Sequence, residues 1–341
     1  MSPFKSRPLT CLLALLVASG SCAQDLKDAA VTRAPIQSNG LEQTLDAYLA
    51  QQSAAGQFSG VVLVARNGVP VFRRAYGYAD RANKRPNNVM TRFDLGSLGK
   101  LLTQSAVEQL VAEGKLSYSQ TLGSVLPDFP QAMSLPATVQ QLLNMTAGLN
   151  DLYGPEFAQT AKDGFRSNAD YYTFLGTLPS LFPPGNTEQH CNGCFIVLGE
   201  MIERLSQEPY EQYMTENIYK PTGMVSTASL QADGIQPDVA IGYTQAAGNA
   251  LENNIFLQGA SGSAAGGAHS TVDDLLAYLN DSRSGRLPPI PRLLMASGAS
   301  PGVNTFIQTD NTWMVIVLAN LDPPAADQAG ADIFNVLTTS Q

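Results

Sequence analysis

Two stretches at opposite ends of the chain constrain its fold most. "SGVVLVARNGVPVFRRAYGYAD", from Ser59 to Asp80, sets β-branched and aromatic runs on either side of Asn67-Gly68. Asn-Gly between two such runs is the strongest short signal for a β-hairpin. Near the other end, "GVNTFIQTDNTWMVIVLANL", from Gly302 to Leu321, reads as two strands joined at Asp310-Asn311. Each pair of strands comes with a helix. Leu41, Leu45, Tyr48 and Leu49 recur at helical spacing before the first pair, and "PAADQAGADIFNVL" follows the second. The middle of the chain is mostly helix and loop, with no internal repeat and no low-complexity tract. The simplest assembly is an α/β (α+β) fold with one antiparallel sheet built from both chain ends and flanked by helices. The sheet part spans 39–96 and 296–341, and residues 97–295 form an inserted, mostly helical lobe within a single domain over 39–341. With 341 residues, 44% of them hydrophobic, the chain can bury a large core.

The start, "MSPFKSRPLTCLLALLVASGSCAQ", reads as a secretory signal over 1–23. Lys5 and Arg7 precede a short apolar stretch, and Ser21-Cys22-Ala23 offers small residues for cleavage. Cys22 is the alternative, a lipidated cysteine, although Ser19-Gly20-Ser21 lacks the usual upstream Leu. Residues 24–38 read as a polar linker. No apolar run reaches the ~18–20 residues of a membrane span. A net charge of −9 without a basic cluster argues against nucleic acid and anionic membrane surfaces as partners. The expected location is exported, periplasmic or secreted, where disulfides persist.

"HCNGC" concentrates His190, Cys191 and Cys194 within five positions. With His269 they would make four zinc ligands, although the adjacent His190 and Cys191 point different ways. A thioredoxin-type dithiol is disfavoured because no βαβ pattern surrounds the pair. Spaced with Phe195, Leu198, Ile202 and Leu205, the cysteines also fit the inner face of a helix, as small buried side chains or as a short-range disulfide.

"FDLGSLGKLLTQSAVEQLVAEGKL" carries the clearest chemistry. A helix is expected to open near Ser97, with Leu101, Val107, Leu110 and Val111 as its apolar stripe and Gly114 as its stop. Ser97 and Lys100 then share one face, a turn apart. A serine hydroxyl needs a neighbour to take its proton, and a lysine desolvated in a cleft can be neutral enough to do so. The helix N-terminus favours the negative charge that develops there.

These residues, followed by "LVAEGKLSYSQTLGSVLPDFP", "TVQQLLNMTAGL", "IYKPTGM", "GGAHSTVDDLLAYL" and "PGVNTFIQTDNTWMVIVLANLDPP", resemble the serine β-lactamase and penicillin-binding-protein superfamily. The match is to its class C β-lactamase and related esterase branch, in the family's order, from about residue 41 to the C-terminal helix. The resemblance implies a Tyr-x-Asn element where this chain has His190-Cys191-Asn192: the asparagine is kept and an imidazole, which also exchanges protons near neutrality, replaces the phenol. The alternative is that His190 is only a polar residue lining a decayed cleft. The family's Lys-Thr-Gly or His-x-Gly element falls on Ala296-Ser297-Gly298, so its cation is absent. Ser297 would supply a hydroxyl, and an N–H near Gly298 or Ala299 would form an oxyanion hole with that of Ser97. Lys220-Pro221-Thr222-Gly223 matches a connector in the lobe and is a decoy. Met145 is expected to pack and His269 to make local hydrogen bonds, while "NDSRSGRLPPIPRLL" reads as a loop replacing a longer segment.

The expected function is a serine hydrolase that forms an acyl-enzyme on Ser97. Its substrates would be small esters, amides or peptide-like molecules, esters being favoured because penicillin-type carboxylates lack their cation here. Lys100 would act as base and His190 as proton relay, Asn192 would orient the substrate or Lys100, and no cofactor is required. The competing expectation is a catalytically impaired member whose cleft binds a ligand or protein partner without turnover.

Overall fold

Asn67 and Gly68, both at positive φ (52° and 78°), turn the chain between β1 (Gly60–Arg66) and β2 (Val69–Tyr76). This is the backbone that an Asn-Gly hairpin requires. The structure, a computed structural model, describes residues 40–339 apart from 186, 235, 237, 247–249 and 289–293. The expected leader over 1–23 with Cys22, the linker over 24–38 and part of "NDSRSGRLPPIPRLL" lie outside the described residues. The C-terminal strands are β3 (Met295–Ser300), β4 (Val303–Thr309) and β5 (Trp313–Ala319). They join the first hairpin in one antiparallel sheet of order β3-β4-β5-β1-β2, with Leu63 opposite Ile316 where the two chain ends meet. The sheet is thus built from both termini, as the strand-rich ends imply.

Alternation along the strands sorts their side chains onto two faces. Val62, Val64, Val315 and Val317 pack with Leu45 and Leu49 of α1 (Leu41–Ala54) and with Ile333 and Leu337 of the C-terminal helix Ala325–Thr339. Val61, Leu63, Ile316 and Leu318 face the larger core with α2 (Lys100–Ala112) and α3 (Asn192–Ser206). Because both faces are covered, the central strands read as continuous apolar runs. In α3 every side chain from Cys194 to Ile202 is buried, so the helix runs through the lobe's interior. α4 (Val272–Ser284) packs Leu275, Tyr278 and Leu279 into the same core, its first turn capped by the Thr271 hydroxyl, which accepts from the Asp274 N–H. The Ala325–Thr339 helix is α5.

Asn304 fixes α5 to the sheet. Fully buried on β4, its Oδ1 accepts from the Ala326 and Asp327 N–H groups (2.6 and 3.0 Å), while its Nδ2 donates to an Asp327 carboxylate oxygen at 3.0 Å. The first-turn N–H groups of a helix otherwise lack acceptors. Asn304→Ala is expected to destabilise the protein by about 2–3 kcal/mol, because it strands two buried donors. Urea unfolding of the two proteins measures this, and a change within error would rule out the asparagine as the anchor.

Candidate active site

Ser97 lies in a 3₁₀ turn, Gly96–Gly99, that runs directly into α2 at Lys100. The expected helix start is therefore a tighter turn than anticipated, one that projects the hydroxyl ahead of the α-helix. The Asp94 carboxylate accepts from the Gly96 N–H at 2.7 Å and holds the turn from its N-terminal side. Close backbone approach holds the other sides. A Cβ on Gly298 would stand 2.4 Å from the Leu95 carbonyl oxygen and 2.5 Å from the Leu98 nitrogen. A Cβ on Gly266 would stand 2.4 Å from the Gly96 carbonyl oxygen. Only glycine lets β3 and the 262–267 loop press against the turn in this way.

Lys100 is buried, and its Nζ lies 2.9 Å from Ser97 Oγ, 2.6 Å from Asn192 Oδ1 and 2.7 Å from the Ala265 carbonyl oxygen. Burial pushes its ammonium down to about 7, with the Asp151 carboxylate opposing that shift. A neutral amine has two N–H bonds. The Asn192 and Ala265 oxygens can take both, which leaves the nitrogen lone pair facing the Ser97 hydroxyl. Protonated, the same nitrogen donates its third hydrogen to Ser97. The hydrogen bonds are satisfied in either protonation state.

Asn192 is the first residue of α3. Its N–H and its Nδ2 both donate to Asp151 Oδ1, at 2.8 and 3.0 Å, while its Oδ1 serves Lys100. His190 makes no hydrogen bond with Ser97 or Lys100. Its Nδ1 instead lies 3.0 Å from Asp151 Oδ1, and its ring lines the cleft that contains Ser97. The polar groups therefore form a chain from Ser97 through Lys100, Asn192 and Asp151 to His190. The cleft has a volume near 1000 Å³, and Tyr153, Phe157, Phe256 and Leu257 give it apolar walls.

On β3, Ser300 and Val303 close the turn at Pro301-Gly302, so the ladder's alternation leaves the Ala299 N–H on the open edge. Ala299 lines the cleft, and a Cβ on Gly96 would stand 3.1 Å from its nitrogen. Ser297 departs from expectation. Its hydroxyl donates to Asp327 Oδ1 at 2.6 Å on the far face of the sheet, so it supplies nothing to the cleft. The cause is strand parity. Gly298 faces inward against the Ser97 turn, which forces its neighbour outward. Gly298 itself backs the turn and is not part of the cleft wall.

Cys191 and Cys194 are joined in a disulfide, and Cys191 Sγ accepts from the Cys194 N–H. The expected alternatives thus resolve to the short-range bridge, which removes the thiolates a zinc site needs. Among the described residues no group of three or more His, Cys, Asp or Glu side chains is placed to hold a metal. His269 sits on a short strand, Ala268–Ser270, antiparallel to Phe93–Asp94, and burial lowers its imidazole. Lys220 ion-pairs with Glu216 on the surface, and Met145 packs against the main core. The residues missed by reading the sequence are Asp151 and Ala265. Asp151, in "GLNDLY", follows a Gly-Leu pair in a loop, and nothing in its spacing points to α3.

The antiparallel sheet with its helical lobe, and a serine one turn before a buried lysine at their junction, define the β-lactamase and transpeptidase class of hydrolase folds. The β-lactamase family profile matches residues 45–302, and the chain belongs to that family. The putative penicillin-binding protein PbpX of Bacillus subtilis (strain 168) is 32% identical over 186 residues, 54% of this chain and 45% of that protein. A D-aminopeptidase of Cereibacter sphaeroides (strain ATCC 17023) is 31% identical over 248 residues, 70% of this chain and 45% of that protein. The chain spans less than half the length of these two relatives. A solved penicillin-binding protein from Bacillus halodurans superposes with a TM-score of 0.75 at 23% identity, over 85% of this chain and 99% of that one. Among the described residues no helix is long and apolar enough to cross a membrane.

Proposed function

We propose that the protein is an exported serine hydrolase that forms an acyl-enzyme on Ser97 and acts on small esters or amides. The observation that carries this is Lys100: buried, 2.9 Å from Ser97 Oγ and pushed down to about 7. A lysine in that state takes the serine proton as Oγ attacks the substrate carbonyl carbon. The N–H groups of Ser97 and Ala299 are assigned as the oxyanion donors, because fixed backbone donors stabilise the charge that develops on the substrate oxygen. Asn192 positions Lys100 through its Oδ1.

Esters are favoured over penicillin-type substrates for an electrostatic reason. Ala296 stands where the family's cation would be. Two cationic side chains of the cleft wall are also engaged with carbonyl oxygens: Arg85 donates to that of Val239, and Lys162 to those of Phe157, Ala158 and Thr160. A substrate carboxylate thus finds little to bind. The similarity to a D-aminopeptidase supports amides as the second class. Export is supported by the signal-like segment over 1–23 and by the Cys191–Cys194 bridge, which an oxidising compartment maintains.

A fluorophosphonate probe is expected to label the protein at Ser97, with Ser97→Ala unlabelled under the same conditions. Equal labelling of the two proteins would refute the assignment of the nucleophile.

A further inference from the structure

We infer that Asp151 and His190 form a carboxylate–imidazole pair that activates the water releasing the acyl group from Ser97, a division of labour that presupposes the acyl-enzyme proposed above. Lys100 then serves acylation and the pair serves deacylation.

The geometry starts at Asp151. A carboxylate offers only acceptors, so the His190 nitrogen 3.0 Å away, Nδ1, carries the hydrogen between them. The other ring nitrogen, Nε2, is left with its lone pair, turned away from Asp151 in a ring that lines the same cleft as Ser97. Lys100 is poorly placed for a second task. Its Nζ is already engaged by Ser97 Oγ, Asn192 Oδ1 and the Ala265 carbonyl oxygen.

The chain holds Asp151 in place at a cost. A Cβ on Gly193 would stand 2.2 Å from the Asn150 carbonyl oxygen, so only glycine in the first turn of α3 lets the Asp151 loop lie against it. The next residue, Leu152, is fully buried and sits at φ 77°, where a branched side chain is disfavoured by roughly 1–3 kcal/mol. The Asn192 N–H and Nδ2 fix the carboxylate further. Gly193 and Leu152 thus hold the main chain around Asp151, and Asn192 holds its Oδ1, the same oxygen that faces His190. A role through His190 accounts for these restraints.

In the deacylating step a water oxygen bonds to the acyl carbon as one of its protons passes to His190 Nε2. Collapse breaks the bond between that carbon and Ser97 Oγ, and the imidazolium proton returns to Oγ. A free carboxylic acid and the free serine result. His190 is then the catalytic residue and Asp151 a positioning residue.

The test is the kinetics of p-nitrophenyl butyrate hydrolysis by Asp151→Asn, which keeps the shape and an acceptor oxygen but removes the charge. Loss of deacylation alone lowers kcat while kcat/KM, which reports acylation, holds. The expected result is a kcat about 10²-fold lower, a KM lower in step, kcat/KM within about threefold of wild type, and a butyryl group on Ser97 detectable by intact-protein mass spectrometry. His190→Gln should give the same signature without disturbing Asn192, and it carries the test if Asp151→Asn does not fold. Parallel loss of kcat and kcat/KM in both variants would overturn the assignment, as would wild-type kinetics in both. Absence of any adduct on wild-type Ser97, with butyrate ester and fluorophosphonate alike, would instead overturn the acyl-enzyme reading itself.

Discussion

Lys100→Met is expected to lower kcat/KM for ester hydrolysis on the order of 10³-fold or more, and to remove a pH dependence from both activity and stability. Methionine fills a similar volume but accepts no proton from Ser97. In the wild type kcat/KM should rise with pH and level off above about 7, where Lys100 becomes neutral. A wild-type profile flat between pH 5 and 8 would sink the assignment of Lys100 as base. The stability effect follows from the same group. In the unfolded chain the lysine keeps its proton up to its ordinary value of 10.5, whereas burial releases it near 7 in the folded protein. Between those values the unfolded state binds more protons, so stability rises with pH. Below about 7 both states are protonated, and the cost of burying the charge is fully present. Between pH 7 and 9 the gain is roughly 2–3 kcal/mol, and it should be missing from Lys100→Met in denaturant titrations at the two pH values. The variant also leaves Asn192 Oδ1 and the Ala265 oxygen without their donor, so the slope against pH, rather than the stability at one pH, isolates the buried charge.

Gly298→Val should nearly silence the enzyme without touching any group that carries protons. The added Cβ would lie 2.4 Å from the Leu95 oxygen, 2.5 Å from the Leu98 nitrogen and 2.6 Å from Thr305 Oγ1. Two of those atoms are backbone, so β3 itself must move away from the Ser97 turn, carrying the Ala299 N–H with it. Loss of one oxyanion donor costs about 10²–10³ in kcat. Gly298→Ala should show a smaller loss of the same kind, and fluorophosphonate labelling of Ser97 should slow in both. Turnover of Gly298→Val within twofold of wild type would mean that the close packing of strand and turn has no part in catalysis.

The architecture was legible because its signals are local. Asn67-Gly68 needs only its own backbone preference to make a hairpin, and the β-branched and aromatic residues on either side mark the two strands. Ser97 and Lys100 were legible for the same reason: three positions along one turn fix their contact whatever the rest of the chain does. The Asp151 contacts are of another kind. They depend on Gly193 having no side chain, a fact about how a loop and a helix meet across the lobe, and no periodicity in "GLNDLY" encodes it. Ser297 failed for want of parity. "MASGAS" has no β-branched residue to mark an inner face, and only the packing of Gly298 on the turn decides which way the serine points. The bridge between Cys191 and Cys194 was one of several possibilities, since the spacing alone suits a buried helix face equally well.

That bridge has a consequence for how the protein responds to its surroundings. It closes a ring around only Asn192 and Gly193, the residue that steadies Lys100 and the one whose bare backbone admits the Asp151 loop. A ring so small restricts the unfolded chain less than a long-range crosslink does. Its influence is therefore concentrated where the proton-handling groups meet. Reduction of the bridge is therefore expected to lower ester turnover before it lowers stability, which hydrolysis rates and urea unfolding with and without a reductant would show.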